Sequence, residues 1–470
     1  MERIKECLKN NIFVQAVLGN LVILIVFLIV MEPYLENEAD IIMQEIAYGE
    51  TLTGISSSAV LFSHYLMGAV IAGLHSALPI IPWYFVIHYI LCFLGMSCIT
   101  YLTLKRSVSW ENRLLTIAVM VYIGYECYAL PGYVKTAAVL AISCVYVLLY
   151  VMTCIDGEYY KGDGSEKLEN AGRQRLIWYA SAALLGVLSS LVSFFLFIVI
   201  AGLCTILAVT GLIIIKPYGD KRVMIKSIGR GAVVLLGTAV IAAGAYYLDR
   251  LHYFRDPALT ASIAYRLGYE KCLSYGVPYF KYRTDELDLA RDAIHRLGAL
   301  DPALVDTNER LIYMAGATLI PSLHEIYNFI KFEKENVSNV AFIYLYGFLS
   351  YFLIRYAGKK GRKVTILHII IGVIVLFVMR QFLILGYYRM YTIQIMPLVI
   401  FLMPFFAETD YNLAEMKERK KSIIMLAFDV MLVIYLAYYI GDDFAVRWSK
   451  EPAVHEAEML YYEANMEGDT

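Results

Sequence analysis

The sequence predicts an all-α polytopic membrane bundle, about eleven transmembrane helices with a small helical extracytoplasmic insert, and three observations carry that prediction. Apolar stretches of span length recur along 470 residues that are 60% hydrophobic and 17% charged, with mean hydropathy +0.60. Each such stretch can cross a hydrocarbon core of roughly 30 Å as a helix. The stretches are continuous and do not alternate, which selects helices over a barrel. Short basic loops recur between them, and their placement orients the chain.

Apolar segments fall at 11–31, 59–77, 83–104, 113–129, 134–154, 176–190, 195–215, 229–247, 338–357, 365–384, 388–407 and 422–440. The first follows the basic stretch MERIKECLKN and has no small-residue cleavage site, so it reads as an uncleaved span with its N-terminus inside. If every segment crossed, Lys105, Arg106, Arg113 and the block Lys359, Lys360, Arg362, Lys363 would lie outside, against the positive-inside rule. If 59–77 stays at the outer surface, those residues, Lys216–Lys226 and Lys417–Lys421 all become cytoplasmic. That segment carries His64, His75 and several Gly and Ser, which suits an interfacial helix. The remaining eleven segments then cross, with the N-terminus in the cytoplasm and the C-terminus outside.

The predicted organisation has four parts. Residues 1–247 form an N-terminal membrane region with an external acidic loop at 32–58 and the interfacial helix 59–77. Residues 248–337 form the extracytoplasmic insert, where Leu287, Ala290, Ile294 and Leu297 repeat at helical spacing and Gly298 offers a stop. Residues 338–440 supply the C-terminal membrane helices, and 441–470 an acidic tail outside the membrane.

Composition closes off several functions. A formal net charge of −2 gives no electrostatic footprint for nucleic acid. Of the eight cysteines only Cys272 lies in the large non-membrane segment, and no C-x-x-C pair signals a metal. Gly-rich nucleotide loops, H-E-x-x-H and G-x-S-x-G are absent from the sequence. A donor delivered through the membrane fits that absence better than one bound from the cytosol. Most of the 39 tyrosines suit an aromatic belt.

The acidic loop is where chemistry can sit. EPYLENEADIIMQEIAYGETLTGISSS holds six acids and neither Lys nor Arg, with Glu36, Glu38 and Asp40 just past the first span. Glycosyl transfer by direct displacement needs a carboxylate that takes a proton from the acceptor hydroxyl. One acid can be that base; another can orient it or hold a divalent cation. The same residues also read as a solvated loop that enforces topology. Arg380 and Arg389, near the outer ends of consecutive spans, can grip a lipid phosphate with paired donors or snorkel to headgroups. His64 is either substrate-proximal or a structural interface histidine. Glu126 and Lys135 flank an outer turn and suit an ion pair or the lining of a lipid entrance, whereas Asp429, mid-span, suits a transporter.

Asn37-Glu38-Ala39-Asp40, the Gly49–Gly54 piece and Pro82-Trp83-Tyr84 follow one another in the order first span, external acids, non-crossing helix, then bundle. This arrangement resembles the lipid-dependent membrane glycosyltransferases of the GT-C fold, and a group of poorly described multi-span proteins of low-GC Gram-positive bacteria. The likeness covers the first 150 residues, with loose agreement in topology thereafter. The resemblance implies that Asp40 is the catalytic acid with Glu38 as its alternative. It implies that Arg389 binds the lipid phosphate and that His64 starts the surface helix. It further implies a polyprenyl-phosphate sugar donor, and a cell-envelope glycan or lipid as acceptor. Ala39 interrupts the acid pair, His64 is followed by Tyr65-Leu66-Met67 where protein mannosyltransferases have Pro-Pro-Leu, and no Trp-Trp-Asp occurs. Protein mannosyltransferases and oligosaccharyltransferases are therefore disfavoured. The rival readings are a transporter or flippase, a polysaccharide polymerase, and a structural membrane protein of an envelope assembly complex.

Overall fold

The computed structural model describes residues 11–31, 33, 35, 38–50, 56–60, 62–106, 110–155, 165–215 and 221–255, and beyond them only isolated positions between 363 and 441. The insert past residue 255, the C-terminal membrane segments, the tail, Glu36, Arg380, Arg389 and Asp429 lie outside the described residues. Every regular element among the described residues is helical: α1 (Ile12–Val30), α2 (Glu38–Tyr48), α3 (Tyr65–Ala77), α4 (Trp83–Arg106), α5 (Trp110–Gly124), a π turn (Tyr125–Ala129), α6 (Tyr133–Tyr150), a second π turn (Val151–Ile155), α7 (Ser165–Val192), α8 (Phe194–Ile215) and α9 (Lys221–Phe254).

Six of these helices, α1, α4, α6, α7, α8 and α9, are long and apolar enough to cross a membrane. The start of α1 is capped by Asn11, whose side chain accepts from the Phe13 and Val14 amides. Lipid tails are as apolar as leucine, so helices in a bilayer are held by close packing and by hydrogen bonds between them. Both are present here. Asn20 on α1 donates to Thr100 on α4 at 2.9 Å. Thr103 on α4 meets the Tyr146 hydroxyl on α6 at 2.7 Å. Ser143 on α6 reaches the Gly95 carbonyl on α4 at 3.0 Å, and Ser189 on α7 reaches the Ala137 carbonyl on α6 at 2.7 Å.

These pairs also fix direction. Asn20 opposite Thr100 and Phe13 opposite Tyr101 make α1 antiparallel to α4. His88 opposite Thr136 and Thr103 opposite Tyr146 make α4 and α6 parallel. Ser189 beside Ala137 and Trp178 beside Tyr150 run α7 against α6. Because α4 and α6 start at one end, the chain between them must travel the length of the bundle. Helix α5 and its π turn make that passage with 15 and five residues, about 30 Å at the helical rise. The chain reverses again at Ser193, whose amide closes the last turn of α7 on Ser189 at 2.8 Å and whose carbonyl opens α8 by accepting from Phe197 at 3.0 Å. Alternation is thus continuous from α4 to α9. One end, called the mouth below, collects the starts of α4, α6 and α8 and the ends of α1, α7 and α9.

Helix α6 is the axis of the bundle. In its most apolar stretch 94% of residues are buried, against 17% in α1 and α9. Ala137, Ala138, Ala141 and Ser143 keep its surface small where its neighbours approach. Helix α9, at 34 residues, extends well past the expected 229–247 and projects beyond any single bilayer crossing.

Helices α2 and α3 follow a different path. Ile42, Met43, Ile46 and Ala47 form one buried face of α2. Helix α3 starts at His64, whose amide bonds the Leu191 carbonyl at the end of α7. Its last turn carries His75, stacked at 3.9 Å on Tyr48 beside the start of α4. Both ends of α3 are therefore tied to the mouth. Gly68 lets α3 pass over the Ser58 carbonyl, which a Cβ at that position would strike.

Candidate functional site

Helix starts inside an apolar layer leave amide groups that water cannot reach, so another part of the chain must accept from them. At the mouth, α2 performs this service for two spans. The Tyr48 hydroxyl accepts from the Tyr84 amide at 2.9 Å, in the first turn of α4. Burial pushes that hydroxyl above the ordinary tyrosine range, which keeps its proton on. Asp40 Oδ1 accepts from the Tyr133 amide at 2.8 Å, the first residue of α6, and from the Tyr84 hydroxyl at 2.5 Å. The carboxylate is 1% exposed and sits at the positive end of the most buried helix. Gly132, which precedes α6, makes room for it. A Cβ there would stand 2.9 Å from Asp40 Oδ2.

A second polar layer lies directly behind. Lys135 Nζ bonds Glu126 Oε2 at 3.2 Å and the Leu130 carbonyl at 2.8 Å, with both charged side chains buried. Glu126 belongs to the π turn that ends α5. Thr136 gives its hydroxyl proton to the Gly132 carbonyl at 2.9 Å and so accepts from His88 Nδ1 at 2.8 Å. The His88 ring in turn packs 4.6 Å from Tyr84, which joins this layer to Asp40.

His64 is placed at the other side of the mouth. Its Nδ1 accepts from the Leu66 amide at 3.1 Å, so the proton is on Nε2, which donates to the Ala245 carbonyl at 2.8 Å. Asp249 of α9 accepts from the Tyr65 amide at 2.7 Å and lies 4.0 Å from His64 Nδ1. Both ring nitrogens are thus engaged in starting α3 and tying it to α9.

Of the residues singled out in the sequence, Asp40 and His64 are described at the mouth, and Glu38 is described by its backbone at the first position of α2. The expected Glu126–Lys135 ion pair is present. Tyr84, Tyr48, His88, Thr136 and Asp249 were not anticipated as partners. The Trp83-Tyr84 pair was the one signal that pointed at any of them. Among the described residues no group of three or more His, Cys, Asp or Glu side chains is arranged to hold a metal ion. What the arrangement offers chemically is one buried carboxylate, fixed by two donors, at the end of the bundle where the chain enters residues 256 onward. No family model, no curated protein and no solved structure matches this chain.

Proposed function

We propose that this multi-span helical membrane protein is an inverting glycosyltransferase. In this reading it takes a sugar from a polyprenyl-phosphate donor at the outer face of the membrane and places it on a cell-envelope glycan or lipid. Asp40, assisted by Glu38, removes the proton from the acceptor hydroxyl. The freed oxygen attacks the anomeric carbon, the carbon–oxygen bond to the lipid phosphate breaks, and polyprenyl phosphate departs with the electron pair. Arg389 or Arg380 meets the charge that develops on that phosphate. Residues 248–337 shape the acceptor side.

The observation that carries this reading is the Asp40 carboxylate, held at the mouth by Tyr84 and the start of α6 and flanked by α3, whose two ends return to that same mouth. A fixed carboxylate beside a non-traversing helix is the disposition that the resemblance to lipid-dependent transferases calls for. Transfer of lipid-linked sugar in membranes, read in extracted glycolipids, should fall at least about 100-fold in Asp40→Asn, the usual scale for loss of a general base. Unchanged product in both Asp40→Asn and Glu38→Gln would sink the proposal.

A second reading, transport of a lipid-linked or envelope precursor, draws on a different observation. The Glu126–Lys135 pair and His88 are ionisable groups buried in the apolar layer, where such groups commonly line a path. Substrate flux that survives Asp40→Asn but stops in Glu126→Gln would favour it.

A further inference from the structure

Four helices each send one aromatic ring to the end of the bundle remote from the mouth. Phe13 of α1 meets Tyr101 of α4 edge-on, with ring centroids 5.8 Å apart. Tyr101 stacks on Trp178 of α7 at 5.9 Å and 9°. Tyr150, the last residue of α6, meets the same indole edge-on at 5.4 Å. Lys105 follows Tyr101 by one turn of α4. Its ammonium lies 5.6 Å from the Tyr101 centroid and 5.2 Å from the Tyr150 centroid. Both distances fall inside the roughly 6 Å over which a ring face attracts a cation.

A lysine at the end of a span ordinarily reaches for water on a free stem. Lys105 is instead held by rings from two helices, and Trp178 braces both rings. It closes the apolar span that begins at Trp83, so its charge lies where hydrocarbon gives way to headgroups. Among the described residues no carboxylate pairs with it, and its side chain is exposed, so the charge is open to an anion from outside the chain. Arg175, one turn before Trp178, adds positive charge on α7. Phe13, in contact with Tyr101, is largely exposed, as are Leu176 and Ile177 just before Trp178. An anion that carries acyl chains satisfies both surfaces, with its phosphate on the ammonium and its chains on the bare apolar rim. A free phosphate would use only the first.

We propose that Lys105, framed by Tyr101, Tyr150 and Trp178, binds the phosphate of an anionic phospholipid. Position, rather than charge alone, makes the site. Lys226 of α9 is likewise exposed at this end, but among the described residues no ring contact holds it. The lipid is bound and not consumed, so the site works without any turnover at the mouth.

The full chain, stripped of co-purified lipid in detergent, is titrated with phosphatidylglycerol or with phosphatidylcholine of the same acyl chains, and bound adducts are resolved by native mass spectrometry. The unaltered chain should prefer phosphatidylglycerol. Lys105→Gln should weaken phosphatidylglycerol binding about fivefold, the scale of one lysine at an anionic membrane surface, and leave phosphatidylcholine binding unchanged. Lys105→Arg should keep the preference, and Lys226→Gln should leave it nearly intact. No preference for phosphatidylglycerol in the unaltered chain overturns the proposal, and that measurement requires no variant to fold. So does an equal loss in Lys105→Gln and Lys226→Gln, which would assign the preference to diffuse surface charge. A third arm adds inorganic phosphate to the phosphatidylglycerol complex. Displacement of the lipid there would make the ligand a free phosphate and overturn the lipid assignment.

Discussion

The starts of α6 and α3 are both closed by an aspartate from a distant element, but at different depths. Asp40 caps α6 at 1% exposure, shares its oxygen between a tyrosine hydroxyl and an amide, and backs onto the buried Glu126–Lys135 pair. Asp249 caps α3 at 7% exposure, next to His64 and on a helix that is mostly uncovered along its length. The same device therefore works at two depths. In the inner patch every donor must find a protein acceptor, whereas the outer patch is slightly nearer the bundle surface.

That contrast can be broken most sharply at Lys135. Lys135→Met leaves the Glu126 carboxylate buried without its cation and should lower stability by about 3–5 kcal/mol, with the double variant Glu126→Gln/Lys135→Met recovering most of the loss. Thermal unfolding in detergent, followed by fluorescence, reads both. A single variant no weaker than the double would mean that the inner patch is wet.

The two caps give the next largest difference. Asp40→Ala strands the Tyr84 hydroxyl and the Tyr133 amide and should cost about 2–3 kcal/mol. Asp249→Ala should cost about 1 kcal/mol, the usual scale for loss of a helix cap. Equal losses, or the reverse order, would remove the distinction in depth. The smallest expected effect sharpens the picture within the inner patch. Tyr84→Phe removes one hydrogen bond and leaves the α6 amide held, a loss of about 1 kcal/mol by the same unfolding measurement.

How far the sequence shows these features depends on their range. Continuous apolar runs mark the six long apolar helices among the described residues, because a membrane helix needs nothing but length and apolarity to declare itself. The ends were harder. Residues 221–228 extend α9 through a basic stretch that reads as loop, and Glu38–Tyr48 is a helix inside what reads as an acidic loop. Its buried face of Ile42, Met43, Ile46 and Ala47 is short and flanked by acids, which masks the periodicity. Asp40, His64 and the Glu126–Lys135 pair stand out because charge or imidazole near an apolar run is rare. Their partners did not, since Asp40 bonds residues 44 and 93 positions away and His64 bonds a carbonyl 181 positions away. A backbone amide that donates to a distant carboxylate carries no mark in its own side chain.

Helix α3 has a consequence for every later residue. A segment whose start is tied to Leu191 and whose end is tied through His75 to Tyr48 adds no change of side to the chain's count of traversals. Reporters inserted at residues 50 and 80 should therefore give one and the same compartment, and all parity assignments downstream inherit that zero.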